Sequence, residues 1–177
     1  MSLEIAQLGQ PVLREVAGAI SLADLANPEL QTFIEDMRAT LVEQKGVGLA
    51  APQVFASIRL FLAAFELPAE KDEPLQFEVV VNPVLTPIGS EMKSAWEGCL
   101  SFPELLVLVP RHRSVRLDYV NASGEPQSRE LHDFAARVAQ HEFDHLNGVL
   151  TLDRAASTRD IIKASEIDDV TGGEEDE

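Results

Sequence analysis

Apolar residues recur at helical spacing near both ends of the chain and form short runs in between. Leu30, Phe33, Ile34, Met37 and Leu41 stand three or four apart, the stripe of an amphipathic helix. Asn27-Pro28 ahead of them reads as an N-cap with Pro at the first helical position, and Lys45-Gly46 closes the helix. Phe134, Val138, His141 and His145 make a second stripe, which predicts a helix over Asp133 to Leu146. Between the two, Arg59 to Phe65, Phe77 to Val81 and Leu105 to Val109 read as strands. Asn82-Pro83 closes the second run and Pro110 the third. Val115, Leu117 and Tyr119 alternate with Arg116 and Asp118, the signature of a half-buried strand. Asn121 to Gly124 predicts a turn, and Glu125-Pro126 after it reads as a break in strand structure.

Strands that follow one another without helices between them favour antiparallel or mixed pairing over a doubly wound sheet. The expected class is α+β, with antiparallel or mixed sheets.

Length and charge narrow this further. The chain has 177 residues, with 14 Lys+Arg against 30 Asp+Glu and a formal charge of −16. That is one domain's worth, expected over residues 1–165. Residues 166–177 hold seven carboxylates and no Lys or Arg, and are expected to form a disordered acidic tail. Such an excess of acid repels nucleic-acid phosphates and anionic membrane faces, so neither is an expected partner. Cys99 is the single cysteine, which excludes an internal disulfide and suits a reducing compartment. The first basic residue is Arg14, so no signal peptide is read, and the expected location is the cytoplasm.

The densest chemistry is His141-Glu142-Phe143-Asp144-His145, an H-E-x-x-H. On a helix, residues four apart share a face, so both imidazoles can reach one metal ion. Glu142, beside the first of them, can take a proton from a water whose pKa that metal lowers. A third protein ligand is needed. Cys99 is one candidate; a carboxylate downstream of His145, Asp160 or Glu166, is the other and would describe a zinc protease. Glu97 and Asp144 could orient a histidine or pair with a basic residue, against the commoner fate of a solvated carboxylate. Gly46 to Gln53 is a glycine-containing segment without the Lys and Ser/Thr of a phosphate loop. Its backbone can lie close to a ligand and Gln53 offers an amide donor, although a tight turn accounts for it equally well.

Three segments together are more specific than any one. G-V-G-L-A-A-P-Q at 46–53, E-G-C-L-S at 97–101 and Q-H-E-F-D-H at 140–145 resemble the three signature motifs of peptide deformylases, in that family's order. The likeness extends to Gly9–Arg14, Val81-Asn82-Pro83, Leu146–Leu150 and Asp153-Arg154. The resemblance implies an enzyme that hydrolyses the N-formyl group from the N-terminal methionine of newly made polypeptides, releasing formate. It implies Cys99, His141 and His145 as metal ligands and Glu142 as general acid/base. Gln53 and the backbone N–H of Leu100 would hold the oxyanion. Gly46, Val47, Gly48, Phe134 and Val138 would bind the substrate, the last two with Val47 around the methionine side chain. The implied cofactor is one divalent ion, Fe(II) physiologically, with Zn, Ni or Co able to replace it. A non-catalytic relative that merely binds N-termini is the contrasting reading, and the presence of all six catalytic positions speaks against it.

Departures stand beside the likeness. Asp133 and Phe55 occupy positions where many members carry Gly, and Asp133 is expected to act as an N-cap. Leu105-Leu106 fills a stretch where many members carry a basic residue. The C-terminal helix that some bacterial members use at the ribosome is basic, whereas Ala155 to Glu177 contains only Arg159 and Lys163 among many acids. Ribosome docking by that route is not expected, and nothing in the chain demands more than a monomer.

Overall fold

A computed structural model describes residues 2–68, 70 and 73–171. Helix α1 spans Pro28–Glu43, and Asn27 caps it by accepting the Glu29 N–H. Strands β1 (Gly48–Ala50), β2 (Leu60–Ala63) and β3 (Glu78–Pro87) follow, then β4 (Met92–Glu97), β5 (Leu105–His112), β6 (Ser114–Val120) and β7 (Pro126–His132). Helix α2 covers Asp133–Leu146, and α3 (Thr151–Arg154), β8 (Ile161–Lys163) and α4 (Ile167–Thr171) complete the order. One sheet runs β1-β2-β3-β6-β7 and a second runs β4-β5-β8. Every strand pair in both is antiparallel. The chain is α+β.

The two helices share the larger sheet between them. Leu60 and Leu62 of β2 join Val79 and Val81 of β3 in a cluster with Ile34, Met37 and Leu41 of α1. Phe61, Ala63 and Val80 point the other way and pack with Val138, Ala139 and Leu146 of α2. Side chains alternate across a strand, so strands covered on both faces must be apolar throughout. That is why Leu60–Ala63 and Val79–Val81 read as continuous runs. On the far side, α2 also packs against β5 of the smaller sheet. It is the central helix, with its histidines between the sheets.

Several boundaries differ from the sequence reading. Beta structure continues through Asn82-Pro83, because a shift of register between Val81 and Val84 absorbs the irregularity. Asn82 adopts φ 49 there and turns its side chain to Ile20, accepting from its N–H and donating to its carbonyl. Strand β5 runs on past Pro110 to His112; β8 pairs only with Leu105–Val107, which leaves one side of Pro110 without a neighbour. Pro126 opens β7 rather than ending strand structure, since β7 lies at the edge of its sheet and an edge tolerates a missing donor.

The acidic tail also departs from expectation. Ala164–Glu166 form a 3-10 turn that leads into α4. The Ala164 N–H donates to the Glu104 carbonyl, and Thr171 Oγ1 donates to the Ile167 carbonyl. Asp168 and Asp169 in the first turn of α4 favour the positive end of its dipole. The rest of the expected tail, 172–177, lies outside the described residues. Among the described residues, no helix is long and apolar enough to cross a membrane.

Candidate metal centre

The H-E-x-x-H segment occupies the last turns of α2, and the cysteine loop between β4 and β5 faces it. Cys99 Sγ lies 3.4 Å from His145 Nε2, and the two histidine Nε2 atoms lie 3.2 Å apart. One ligand atom from each of Cys99, His141 and His145 falls within 4.8 Å of the others. A four-coordinate ion with bonds of about 2.0 Å to nitrogen and about 2.3 Å to sulfur separates its ligands by about 3.3 Å (N to N) and about 3.5 Å (N to S). The three side chains fit such an ion. Asp160 and Glu166 stand elsewhere: Asp160 caps the turn at Ser157, and Glu166 accepts from Ser165 Oγ. The expectation of a downstream carboxylate ligand therefore finds no support in the geometry.

Burial sets the protonation of this group. His145 is fully buried and its pKa is pushed well below the ordinary value, chiefly by desolvation and then by the positive charges of His141 and Arg111. Its Nδ1 is buried without a hydrogen-bond partner. A neutral imidazole is the form that ligates metal. Burial also disfavours the His141 cation, but contacts with Cys99 and Glu97 outweigh it and hold that pKa well above the ordinary range.

Glu142 is the second feature of the site. Its carboxyl is pushed up to about 7, first by burial, against the opposing pull of His141 and Arg111. Oε2 is buried with no hydrogen-bond partner. Such a carboxyl can accept and release a proton near neutral pH. Gly48 makes room for it: a Cβ there would stand 2.7 Å from Glu142 Cδ and 2.9 Å from Cγ.

Gln53 is buried at 2% exposure and fixed at both ends. Its Oε1 accepts the Ala50 N–H at 2.9 Å, which orients the amide so that Nε2 faces Cys99 Sγ at 3.5 Å and Ser101 Oγ at 3.2 Å. Leu100 lies in the same loop, with its carbonyl accepting from Gln7 Nε2. A cleft of about 1050 Å³ opens over the group, and Gly46, Val47, Gly48, Gln53, Leu100, Phe134 and Val138 all line it. Val138 is buried, and Phe134 is 38% exposed at the rim. Val47 packs against the cluster around α2. Cys99, His141, Glu142, Gln53, Leu100 and the residues expected to bind substrate thus line this one cleft, whereas His145 is buried outside the lining.

Around the histidines runs a buried charge network. Glu97 accepts from His141 Nδ1 at 3.0 Å, from Arg111 through both oxygens at 2.9 Å, and from Arg137 at 2.7 Å. Asp144 accepts from Arg111 and Arg154, each at 2.5 Å. Burial alone would raise the Glu97 pKa, but Arg111 and His141 hold it far below the carboxylate range. Of the two fates weighed for Glu97 and Asp144, the structure gives the paired one.

The arginines were not read from the sequence, although Arg111 carried a signal. Val107, Val109 and Arg111 alternate in β5, and all three are buried. An arginine in phase with inward-facing residues needs a buried partner.

The departures fall at informative places. Phe55 has φ 63 and Asp133 has φ 47, left-handed values that favour glycine. Asp133 does not cap α2. Its carboxylate accepts from Arg113 Nε at 2.9 Å, and His132 stands at the cap position. Leu105 packs beneath the cysteine loop with Leu13, Phe102 and Leu150, away from the cleft lining.

Known proteins resemble this chain over most of its length. The profile of the polypeptide deformylase family matches residues 2–160. The chain is 39% identical over 166 residues to peptide deformylase 2 of Nostoc sp., covering 93% of this chain and 92% of that one. The crystal structure of peptide deformylase from Thermotoga maritima superposes with a TM-score of 0.78 at 41% identity, over 89% of this chain and 99% of that one. A Met-Ala-Ser-bound class I type b peptide deformylase from Acinetobacter baumannii gives 0.79 at 37% identity, over 87% and 98%.

Proposed function

The chain belongs to the peptide deformylase family, metal-dependent hydrolases that remove the formyl group from an N-terminal methionine, and we propose that Cys99, His141 and His145 hold its metal while Glu142 moves the protons. The observation that carries this reading is the convergence of those three ligand atoms within 4.8 Å, beside a buried carboxyl poised near neutrality. A divalent ion bound there supplies a lowered water pKa and a polarised carbonyl. Fe(II) is proposed as the native ion, with Zn, Ni or Co able to occupy the same donors.

This chain's residues do the rest. Glu142 takes the proton of the attacking water as its oxygen bonds to the formyl carbon. Gln53 Nε2 and the Leu100 N–H donate to the formyl oxygen as it gains charge. The C–N bond then breaks, and Glu142 returns the proton to the departing nitrogen, leaving formate and a free amine. Gly46 and Gly48 let the substrate backbone lie against the loop, and Val47, Phe134 and Val138 take the methionine side chain. The Met-Ala-Ser bound to the Acinetobacter baumannii relative supports a peptide that begins with methionine. We propose a monomer acting on nascent chains in the cytoplasm, without ribosome docking through its C-terminal segment. The domain is proposed to end near residue 165.

Formate release from N-formyl-Met-Ala-Ser tests the reading, with protein loaded anaerobically with Fe(II) or Ni(II). Turnover that vanishes in Glu142→Ala, with metal lost in Cys99→Ser, is expected. Metal retained by Cys99→Ser would overturn the ligand set. Absence of turnover in metal-loaded wild type would overturn the assigned reaction.

A further inference from the structure

The walls of the cleft carry a charge that the chain as a whole does not. Its lining includes Lys45, Lys93, Arg113 and Arg137 against the carboxylates of Glu97, Asp133 and Glu142. This is a cationic rim on a chain of formal charge −16 with only four lysines in all. The two arginines are already committed. Arg113 pairs with Glu91 and Asp133, and Arg137 pairs with Glu97 and donates to the carbonyls of Val109 and Lys93. The ammonium groups of Lys45 and Lys93 have no hydrogen-bond or ion-pair partner among the described residues, and both residues are exposed. Two uncompensated cations therefore face the space that leads away from the metal ligands.

Their placement along the cleft is graded. Residues 93–98 all line it, so β4 and the start of the cysteine loop form one continuous wall. Lys93 stands five residues before Gly98, about 16 Å along an extended strand. A peptide lying along this wall with its formyl group beside Cys99 advances at the same rise, so its fourth or fifth residue comes level with Lys93. Lys45 stands two residues before Val47, on the loop assigned to the methionine, and lines the same cleft.

We infer that this cleft selects N-formyl-methionyl peptides carrying Asp or Glu among the residues after the methionine, with Lys45 and Lys93 as the side chains that read them. The inference rests on the deformylase reading and narrows its substrate class. Both contacts are exposed ion pairs, so each contributes modestly and yields to salt. They act on the ground state and the transition state alike, so the preference appears in KM and leaves kcat level.

The test compares kcat and KM for N-formyl-Met-Asp-Ser-Asp-Asp, its Asn-Ser-Asn-Asn counterpart and its Lys-Ser-Lys-Lys counterpart, with metal-loaded full-length protein at low salt. The acidic peptide is expected to exceed the neutral one in kcat/KM by about five-fold and the basic one by more. The difference should lie in KM and shrink in about 0.5 M salt. The double variant K45Q/K93Q should erase the order, and K45E/K93E should reverse it. Equal kcat/KM for the three peptides, or an acidic preference that survives K45E/K93E, would overturn the inference while leaving the deformylase reading intact. No turnover of any of the three would overturn both.

Discussion

Glu97 Oε2 and His141 Nδ1 stand 3.0 Å apart, which leaves His141 Nε2 directed at Cys99 and His145. Glu97 belongs to the cysteine segment and His141 to α2, so one hydrogen bond ties together two of the three elements that make the site. The same carboxylate is gripped by Arg111 and Arg137. It cannot rotate away without leaving a buried cation unpaired.

Glu97→Gln should therefore damage metal retention before it damages the fold. The amide keeps the volume and one acceptor, but loses the charge that holds His141 and both arginines. Metal affinity is expected to fall about 10- to 100-fold, with kcat/KM at saturating metal falling less. Competition with a chelator, read beside formate release, checks this. Wild-type affinity in Glu97→Gln would mean that His141 is oriented by α2 alone.

Gly48 offers a separate handle on Glu142. A methyl group there would overlap the carboxyl carbon at 2.7 Å, and Glu142 is enclosed by buried neighbours. Gly48→Ala should displace the carboxylate by a fraction of an ångström to an ångström, costing about 100-fold in kcat/KM. Cys99, His141 and His145 are untouched, so metal content should stay at the wild-type level. Loss of metal together with activity would show that the methyl group disturbs the ligands instead.

Phe55 and Asp133 share an unfavourable backbone and should respond unequally to its relief. A side chain in the left-handed region costs about 1–2 kcal/mol, less for Asp, whose carboxylate can bond locally. Glycine removes that cost but gives back part of it through unfolded-state entropy. Phe55 is 46% exposed and belongs to none of the core clusters, so its removal opens no cavity in the core. Phe55→Gly should raise stability by about 0.5 kcal/mol, or roughly 1–2 °C in Tm. Asp133→Gly should gain nothing, because it also loses the contact with Arg113. Thermal unfolding of the two variants decides; a lower Tm in Phe55→Gly would mean that the ring's packing outweighs the strain.

The helices and much of the candidate site were legible in the sequence because their signals are local. The spacing from Leu30 to Leu41 gives α1, and four-residue spacing alone puts His141 and His145 on one face. The choice of Cys99 over Asp160 or Glu166 was not legible from spacing. It depends on how β4 and β5 bring a loop 42 residues upstream against α2, and in the sequence only the family likeness pointed to it. The strand ends were misread wherever Pro or Asn suggested a stop. Pro83, Pro110 and Pro126 are tolerated because a bulge, an uncovered flank or a sheet edge removes the need for one backbone donor, and those are properties of pairing. The Arg111 network was missed for the same reason: its partners lie 14 and 33 residues away.

The segment after α2 is held by a charge whose contribution depends on pH. Arg14 pairs with Asp153, and Asp153 Oδ2 also accepts the Leu150 N–H at 2.8 Å. Partial burial pushes the Asp153 carboxyl up, but the Leu150 N–H and the Arg14 guanidinium outweigh it, and Arg154 adds its pull, leaving the pKa below its ordinary 3.8. A carboxyl depressed in the folded state stabilises it above the ordinary value, and that contribution is lost as pH falls through the folded-state value. Asp153→Asn keeps an acceptor for Leu150 and removes only the charge. It should lower stability at pH 7 by about 0.5 kcal/mol, the scale of a half-exposed ion pair. The gap between variant and wild type should narrow as pH drops below 3.8, because the wild-type carboxyl then protonates too. Urea unfolding of both proteins at pH 7 and near pH 3 checks the sign. A gap that persists at low pH would assign the contribution of Asp153 to the shape of its hydrogen bond rather than to its charge.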